Sequence, residues 1–422
     1  MLPVVRVLIH YFLFNSIVFY LLSFSFSLFP MITFEEALDT INQIPVTTHT
    51  EHIRLEDAVG RILANDVFSD VEMPPFNKAA VDGYACRRAD LPGPLEVVEI
   101  IPAGVVPEVV IAQGHCSKIM TGAMVPQGAD TIIMVEYTEV DAEGKVLFNR
   151  DKTSANIAWQ AEDVKEGQLV LQKSTLLKPH HIAILAAVGV AEPLVFKRPL
   201  IGVISTGDEL VEPDIKPRPG QIRNSNAHQL IAQAKAMGLD SVYLGIAADT
   251  SESIELLMEK GFDQCDILLL TGGVSMGDFD HVPAVLEKIG VEVLFKSIAV
   301  QPGRPTVFGV RENKFLFGLP GNPVSSYVQF ELLVKQLAYR LMRYSFKPMI
   351  VKLPMAADFT RKKAERKSFM PVRINAEGKI EPLEYHGSAH IHAYEGADGI
   401  MSVEIGETQI AKGEYRNVRQ LQ

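Results

Sequence analysis

The sequence predicts a multidomain protein of the α/β class, and three observations support this class. The chain has 422 residues, enough for roughly two to four ordinary domains. Its central part alternates between short apolar runs and amphipathic segments, which is the pattern of a parallel sheet with crossover helices. The regions before and after it contain short Val- and Ile-rich runs separated by Gly and Pro, which are typical of smaller β-rich domains.

Composition and charge exclude several classes of protein. With 47% hydrophobic and 22% charged residues, the chain is an ordinary globular protein and neither fibrous nor disordered. Its net charge of −11 argues against a nucleic-acid partner, because general nucleic-acid binding requires a basic face. The three cysteines, Cys86, Cys116 and Cys265, form no Cys-x-x-Cys pair, which suits a reducing compartment. We therefore expect a cytoplasmic protein.

The first thirty residues form an apolar extension. From Tyr11 to Phe29 there is no Asp, Glu, Lys or Arg, and about 20 apolar residues are enough to span a bilayer. Three interpretations stay open: translation that starts at Met31, a membrane anchor, or a cleaved signal peptide, although no Ala-x-Ala-like cleavage site follows. A start at Met31 is favoured because Thr33 and Glu36 have the spacing of a capping box that opens an amphipathic helix. Contact with a membrane is expected only if the extension is real.

Changes of pattern divide the rest of the chain into four regions. The first is a helical scaffold, with two short helices before residue 60 and one from His180 to Val188. The others are a β-rich module, an α/β domain and a C-terminal β domain of barrel-like form. Their limits are 31–65 and 162–199 for the scaffold, 66–161 for the β-rich module, 200–347 for the α/β domain and 348–422 for the C-terminal domain.

The α/β domain is predicted from three apolar runs joined by two amphipathic segments. Because such strands are buried on both faces, helices must cover the sheet on either side, and ligands bind beyond the carboxyl ends of the strands. The predicted order is strand Leu200–Ile204, helix Asn226–Met237, strand Asp240–Ile246, helix Ser251–Lys260 ended by Gly261, and strand Asp266–Leu270.

Three polar or glycine-rich turns follow strands of this domain, at 205–210, 271–280 and 318–326. The carboxyl ends of parallel strands meet at one edge of a sheet, so these turns are expected to cluster. Glycine turns let backbone N–H groups approach a phosphate, and a following helix N-terminus adds partial positive charge. Any single turn of this kind is more often structural, but three together predict an anion-binding edge.

Several carboxylates lie in or near the same turns. Asp208, Glu209, Asp249, Asp278 and Asp280 outnumber the Lys and Arg residues close to them in sequence. Each acid alone is consistent with a solvated loop or a helix cap. As a group beside a phosphate site, they predict bound Mg²⁺, which prefers hard oxygen ligands.

Six segments together resemble the molybdopterin molybdenumtransferase family, to which the C-terminal domain of gephyrin is related. The resemblance extends from Met31 to the end of the chain. The segments are PPFNKAAVDGYA (74–85), MTGAMVPQGAD (120–130), STGDEL (205–210), TGGVSMGDFD (271–280), PGRP (302–305) and GLPGNPVSS (318–326).

The resemblance implies that the α/β domain binds molybdopterin and that the protein forms a homodimer. It also implies an activity: insertion of molybdate into adenylylated molybdopterin with release of AMP, in the presence of Mg²⁺. The residues implied as catalytic are Asp82, Thr121, Asp163, Glu209, Asp249 and Asp280. The implied metal ligands are Asp208, Glu209, Asp249 and Asp280. The residues implied to bind the pterin or its phosphates are Thr206, Gly207, Gly272, Gly273, Ser275, Arg304, Pro320, Gly321 and Asn322. From its residues alone, Asp82 is equally consistent with a structural role.

The chain departs from the family pattern at a few basic positions. The family usually has Arg residues within 156–161, where this chain has none, and often has lysines where Ser297 and Gln301 stand. Arg304 and Lys296 keep positive charge in the second of these loops. Arginine can replace lysine as an oxyanion binder, although with a different geometry.

Two other functions stay open from the sequence. One is the preceding adenylylation of molybdopterin, against which the extra β-rich and C-terminal domains argue. The other is a gephyrin-like scaffold without catalysis, against which the retained acids argue.

Three further features have plain structural interpretations. The histidines His386, His390 and His392 can be surface residues or metal ligands, with the last two predicted on one strand face. Cys86 lacks an obvious His partner, so it is expected to be a small buried residue rather than a nucleophile. Trp159 is a candidate to stack on the pterin ring.

Overall fold

The structure is a computed structural model that describes residues 31–274, 281–385 and 387–421. It divides into two compact units, residues 50–195 and a second unit formed by 31–49 together with 196–421. Every helix in the described ranges is too short or too polar to cross a membrane. The apolar segment predicted at the N-terminus lies outside the described residues.

The first α-helix in the described residues begins at the predicted capping box. The Thr33 hydroxyl accepts the Glu36 N–H at 3.1 Å, and the Glu36 carboxylate accepts the Thr33 N–H at 2.7 Å. A π-helical segment, Phe330–Val334, joins the last two helices. The α-helices are α1 (Phe34–Gln43), α2 (Pro179–Ala187), α3 (Ser225–Ala236), α4 (Ser251–Gln264), α5 (Val282–Lys288), α6 (Pro323–Gln329) and α7 (Lys335–Leu341).

Short strands dominate the unit of residues 50–195. Its central sheet has four strands in the order β5-β6-β4-β7, and the remaining strands form two-stranded pairs. The strands are β1 (Thr50–His52), β2 (Val67–Phe68), β3 (Lys78–Ala79), β4 (Gly83–Cys86), β5 (Glu96–Ile101), β6 (His115–Ile119), β7 (Thr131–Met134), β8 (Thr138–Val140), β9 (Val146–Phe148), β10 (Ile157–Ala158), β11 (Leu169–Leu171) and β12 (Leu194–Phe196).

The region predicted as a helical scaffold is helical only in part. Where the sequence predicts a second helix before residue 60, the structure has a single 3-10 turn, Leu55–Asp57. The reason is that the backbone bonds here are not local: the N–H groups of Ile53 and Leu55 donate to the carbonyls of Pro193 and Ala191, at 3.3 and 3.1 Å. Helix α1 also belongs to the other unit, so 31–65 does not act as one element.

The α/β domain contains a six-stranded sheet in the order β16-β13-β17-β21-β20-β18. The first four strands are parallel, and they include the three strands that the sequence predicts to be parallel. The other two, β20 and β18, run antiparallel to their neighbours at one edge of the sheet. A tight hairpin between β20 and β21 reverses the chain there. The strands of this region are β13 (Ile201–Thr206), β14 (Leu210–Val211), β15 (Ile222–Arg223), β16 (Ser241–Ala247), β17 (Ile267–Thr271), β18 (Glu292–Phe295), β19 (Val300–Gln301), β20 (Val307–Arg311) and β21 (Lys314–Leu319).

Gly261 does not end the helix that precedes β17, contrary to the sequence prediction. Helix α4 runs through it to Gln264. A Cβ at Gly261 would lie 2.5 Å from Leu268 Cδ1 and 3.0 Å from Leu244 Cδ1. The glycine therefore allows the helix to pack closely on the sheet, and the sequence signal was mistaken for a cap.

The C-terminal domain is built around a sheet with the strand order β19-β24-β26-β28-β22, in which β25 also pairs with β24. A closed barrel needs the strands at the two sides of the sheet to pair along their length. In the described residues, the end of β22 meets β25 in one isolated bridge, between Met355 and Ile380. The barrel-like form predicted for this domain is therefore not confirmed. Its strands are β22 (Ile350–Pro354), β23 (Phe359–Thr360), β24 (Lys367–Ile374), β25 (Ile380–Pro382), β26 (Gly399–Val403), β27 (Gln409–Ile410) and β28 (Tyr415–Gln420).

Replacement of Gly83 by alanine should destabilise the unit of residues 50–195. In β4, a Cβ at this position would lie 2.0 Å from the carbonyl oxygen of Ile133 in β7. The two strands would have to separate, at a cost of about 2 kcal/mol or more. Trp159 is the single tryptophan of the chain and lies in this unit, so urea unfolding followed by its fluorescence measures the loss.

The control is Ile100→Thr on β5 of the same sheet, where the side chain is 62% exposed. It keeps the branched Cβ and should change the free energy of unfolding by no more than about 0.5 kcal/mol. Equal stability of the Gly83 variant and the wild type would contradict the close approach of β4 and β7.

Candidate active site

The carboxyl ends of the parallel strands bring the second and third glycine-rich turns together. The N–H of Gly272 donates to the carbonyl of Leu319, the last residue of β21, at 3.1 Å. The side-chain amide of Asn226, in α3, donates to both Thr271 Oγ1 at 2.8 Å and the Gly321 carbonyl at 2.7 Å. Asn226 was not among the residues predicted for the site, because nothing local in the sequence marks an asparagine in the first turn of a helix as a link between two loops.

The turn after β13 touches the turn after β17 through Thr206. Gly272 has φ 95°, and a Cβ there would lie 2.7 Å from Thr206 Oγ1; a Cβ at Gly273 would lie 3.0 Å from the same atom. Within the described residues, this hydroxyl is buried and has no hydrogen-bond partner. A buried hydroxyl without a partner is unfavourable, and a polar ligand at this edge would remove the penalty.

Two predicted metal ligands lie side by side in this edge. The N–H of Asp208 donates to the Asp249 carboxylate at 3.2 Å, and the N–H of Asp249 donates to the Asp208 carboxylate at 3.1 Å. This reciprocal pair holds two exposed carboxylates together despite their like charge. Magnesium commonly binds proteins through one or two carboxylates and completes its shell with water and phosphate oxygens, so the donor set fits this ion.

Glu209 occupies the same turn as Asp208. Its carboxylate folds back over Gly207, where a Cβ would lie 2.3 Å from Glu209 Oε2. The described residues contain no group of three or more His, Cys, Asp or Glu side chains close enough to bind a metal. The predicted residues Ser275, Asp278 and Asp280 lie outside the described residues, so the structure places Asp208, Glu209 and Asp249 but not the remaining acids.

Asn322 and Pro320 stand at the start of helix α6. The Asn322 carbonyl accepts the Ser326 N–H at 3.1 Å, whereas its side chain makes no capping bond to the helix. The Pro320 carbonyl lies 3.4 Å from Thr271 Oγ1. Both predicted binding residues are therefore in the turn that adjoins the Gly272 turn.

Arg304 lies exposed in a separate, tightly bonded turn. Its carbonyl accepts the N–H groups of Ile298 and Thr306 at 3.0 and 2.9 Å. The turn is tied to α6 by Gln329, whose side-chain amide donates to the Pro302 carbonyl at 3.0 Å. The structure thus fixes the backbone of Arg304 firmly, but no described hydrogen bond joins it to the glycine-rich turns.

In the unit of residues 50–195, Asp82 and Thr121 form one constellation. Thr121 donates to one oxygen of the Asp82 carboxylate twice, from its backbone N–H at 2.6 Å and from its hydroxyl at 2.7 Å. The backbone bond and then the hydroxyl bond hold the pKa of this exposed carboxyl below its usual value. Asp82 is therefore ionised at neutral pH, with Gly83 fixing the strand that carries it.

Asp163 is bonded through its backbone to Met73, the residue just before the segment 74–85 that contains Asp82. Its N–H donates to the Met73 carbonyl at 3.0 Å, and the Gln160 N–H donates to Asn77 Oδ1 at 3.0 Å. The Gln160 side chain also donates to Glu72. Where the family usually has arginines, this chain therefore has a neutral amide that is already engaged. No described hydrogen bond joins Asp163 to Asp82.

The other candidate residues have structural settings. Cys86 is fully buried, and burial raises the pKa of its thiol to about 12, so the predicted inert role is supported. His390 and His392 do not share a strand face, because Ile391–Tyr394 forms a 3-10 turn. His386 lies outside the described residues. Trp159 is 43% exposed, in the loop between β10 and β11.

Three family descriptions match consecutive parts of the chain. Residues 32–189 match "MoeA N-terminal region (domain I and II)", residues 202–339 match "Probable molybdopterin binding domain", and residues 352–421 match "MoeA C-terminal region (domain IV)". Together the three matches include most of the described residues.

Similarity to an individual protein extends over nine tenths of the chain. The molybdopterin molybdenumtransferase of Haemophilus influenzae is 34% identical over 393 residues, which cover 91% of this chain and 97% of that protein. The chain belongs to the molybdopterin molybdenumtransferase family. Another member, from Bacillus subtilis, is 38% identical over 314 residues, which cover 72% of this chain and 73% of that protein.

A solved structure of the family confirms the multidomain architecture with mixed α/β content. The molybdopterin biosynthesis MoeA protein from Pyrococcus horikoshii superposes with a TM-score of 0.79 at 30% sequence identity. The match covers 92% of this chain and 99% of that chain. The similarity therefore includes all of the domains and is not limited to the α/β domain.

Loss of the Thr121 hydroxyl should raise the pKa of Asp82. In Thr121→Val the backbone bond remains but one of the two bonds that favour the ionised carboxyl is gone, so the pKa moves back toward its ordinary value. The titration can be followed by NMR of Asp side-chain carboxyl carbons. Because the folded pKa is depressed, the contribution of Asp82 to stability is present above the unfolded pKa and is lost as the pH falls through the folded pKa.

Thr138→Val is the control, since the Thr138 hydroxyl donates to the Val135 carbonyl and does not contact Asp82. It should leave the titration of Asp82 unchanged. An unchanged pKa of Asp82 in Thr121→Val would show that the hydroxyl bond has no influence on ionisation.

Proposed function

We propose that this chain is a molybdopterin molybdenumtransferase, which inserts molybdate into adenylylated molybdopterin and releases AMP. One observation carries the proposal: the glycine-rich turns and the Asp208–Asp249 pair lie together at one edge of the α/β sheet. Relatives that bear this name are 34% and 38% identical to the chain. A phosphate-binding edge with two carboxylates suits a substrate that contains a phosphoanhydride.

The turns at this edge would bind the phosphates of the substrate. Thr206 has a buried hydroxyl that needs a partner, and Gly272 and Gly273 allow their turn to approach this hydroxyl closely because they lack side chains. Gly207 lies in the adjoining turn, and its N–H already donates to the Ala247 carbonyl, as that of Gly272 does to Leu319. Pro320, Gly321 and Asn322 would bound the same pocket from the β21 side. The resemblance assigns Ser275 and Arg304 to binding as well, and both stay proposals from sequence.

Asp208 and Asp249 would hold Mg²⁺, with Glu209 beside them and Asp280 as a further ligand proposed from sequence alone. When bound, this ion neutralises charge on the phosphoanhydride and polarises the bond that releases AMP. The two carboxylates are oriented by their mutual N–H bonds before any ion arrives. They would therefore present their remaining oxygens in a fixed direction.

In the unit of residues 50–195, we propose catalytic roles for Asp82, Thr121 and Asp163. The ionised Asp82 carboxylate can accept a hydrogen bond or a proton from the substrate, and Thr121 keeps it ionised and fixed in position. A homodimer is also proposed, from the resemblance to the family, and a cytoplasmic location, from the cysteine content. The alternatives, adenylylation of molybdopterin or a non-catalytic scaffold, gain no specific support from the described contacts.

An assay with the full chain, adenylylated molybdopterin, molybdate and Mg²⁺ tests the reaction through AMP release and cofactor formation. Asp249→Asn should lower the rate of AMP release by a factor of about 100, because one of the two paired carboxylates is neutralised where charge develops. Asp240→Asn is the control: it removes one negative charge from an exposed position just before β16 and should retain the wild-type rate.

Three outcomes would contradict the proposal. The first is an equal rate in the Asp249 variant, which would remove this residue from the site. The second is formation of adenylylated molybdopterin from ATP and molybdopterin, with no cofactor formed afterwards, which would support the adenylyltransferase alternative. The third is binding of the pterin without turnover, which would support a scaffold.

The requirement for magnesium should depend on the same pair. In Asp208→Asn the concentration of Mg²⁺ that gives half-maximal AMP release should rise at least about tenfold, because the ion loses a charged ligand. The measurement is a Mg²⁺ titration of the initial rate after removal of metals with a chelator. Full activity without any divalent ion would contradict the role assigned to Asp208 and Asp249.

A further inference from the structure

We propose that the α/β domain has a second anion-binding pocket, which takes a compact tetrahedral dianion of the phosphate, sulfate and molybdate class. The pocket has a volume of about 200 Å³. It lies where β17 and β21 begin, at the opposite edge of the sheet from the glycine-rich turns. The side chains that carry the argument are His49, Lys197, Arg198, Asp266 and Lys314.

Three separate segments are fixed around this pocket by hydrogen bonds. The Lys197 N–H donates to the His49 carbonyl at 2.8 Å, which joins the segment after α1 to the start of the domain. The Thr47 hydroxyl donates to Asn313 Oδ1 at 3.2 Å, which joins the same segment to the β20–β21 hairpin. The pocket is thus preorganised, because its walls do not depend on a ligand for their arrangement.

The charge of the lining is strongly positive for so acidic a chain. Lys197, Arg198 and Lys314 carry three permanent positive charges, whereas Asp266 is the single carboxylate in the lining. The Asp266 carboxylate accepts the Leu200 N–H at 2.8 Å and lies 3.7 Å from Lys314 Nζ. Three basic side chains and one carboxylate give the lining a net charge of +2 without His49, which is opposite in sign to that of a dianion, while the whole chain has a net charge of −11.

Basic residues of α7 and of the turn after it add to the positive potential near the pocket. Arg343 donates to the Val46 carbonyl at 3.2 Å, and Arg340 donates to the Ile44 carbonyl. These guanidinium groups hold the segment that leads directly into Thr47 and so lie next to the lining. Clustered charge of one sign raises the local concentration of counter-ions, here anions.

The size of the pocket decides which anions fit. Pockets for nucleotide-sized or drug-sized ligands have volumes of about 300–1,000 Å³, so a cavity of about 200 Å³ is too small for a nucleotide or a pterin. A tetrahedral oxyanion with a few water molecules fits. The Thr48 hydroxyl and the Asn313 side-chain NH₂ supply neutral donors beside the charged groups.

Isothermal titration calorimetry of the full chain tests this pocket, with sodium molybdate, phosphate and sulfate titrated at constant ionic strength. Lys197→Gln and Lys314→Gln should each weaken binding at one site about tenfold, since each removes a charge-assisted hydrogen bond. Asp266→Asn should tighten binding a few-fold, because it removes the opposing charge while its oxygen can still accept the Leu200 N–H. Saturation by all three anions identifies a general oxyanion site, and saturation by molybdate alone identifies a molybdate site; both support the pocket.

Lys412→Gln is the matched control, since it removes the same charge from an exposed position in the C-terminal domain and should leave the affinity unchanged. The Lys197 side chain is exposed, so its replacement should not disturb folding, and thermal unfolding checks each variant. Absence of saturable binding of any of the three anions overturns the proposal. Binding that the Lys197, Lys314 and Asp266 variants all leave unchanged overturns it equally. No residue of the pocket belongs to the proposed active site, so neither result bears on the transferase activity.

Discussion

The common register of β13, β17 and β21 is the constraint on which the candidate active site depends. Ser205 pairs with Thr271, and Thr271 pairs with Leu319, so the three strands reach their carboxyl ends at the same level. Only then can Gly272 approach Thr206 closely enough to exclude a Cβ. A slip of one residue in any of these strands would reverse the faces of its side chains and separate the turns.

The α/β elements were predictable because their signals are local. Strands buried on both faces are continuous apolar runs, and helices covering them have one apolar stripe, so β13, β16, β17, α3 and α4 fall within a few residues of their predicted limits. The errors arose where distant contacts decide. Gly261 is a packing residue because Leu268 lies beneath it. Leu55 begins a 3-10 turn rather than an α-helix because its N–H group donates to the distant Ala191 carbonyl.

The positions of the acids at the sheet edge could also be read from sequence, but their geometry could not. Asp208 and Asp249 bond to each other across 41 residues, and Asp82 is ionised by a threonine 39 residues away. A sequence pattern over a few neighbouring residues predicts neither contact, because the partners are distant in sequence. The basic pocket is not predicted by any sequence pattern, because its lining comes from five short segments that contain no motif.

The reciprocal bonds between Asp208 and Asp249 have a consequence for how this edge tolerates change. Each carboxylate is an acceptor for the main chain of the other residue, so loss of either carboxylate frees the N–H of the other residue and leaves one bond to join the two turns. The free energies of two such changes should not add, because each bond helps to hold the geometry that the other requires. In a mutational scan, the two aspartates would behave as one epistatic unit, and neither could drift independently during evolution.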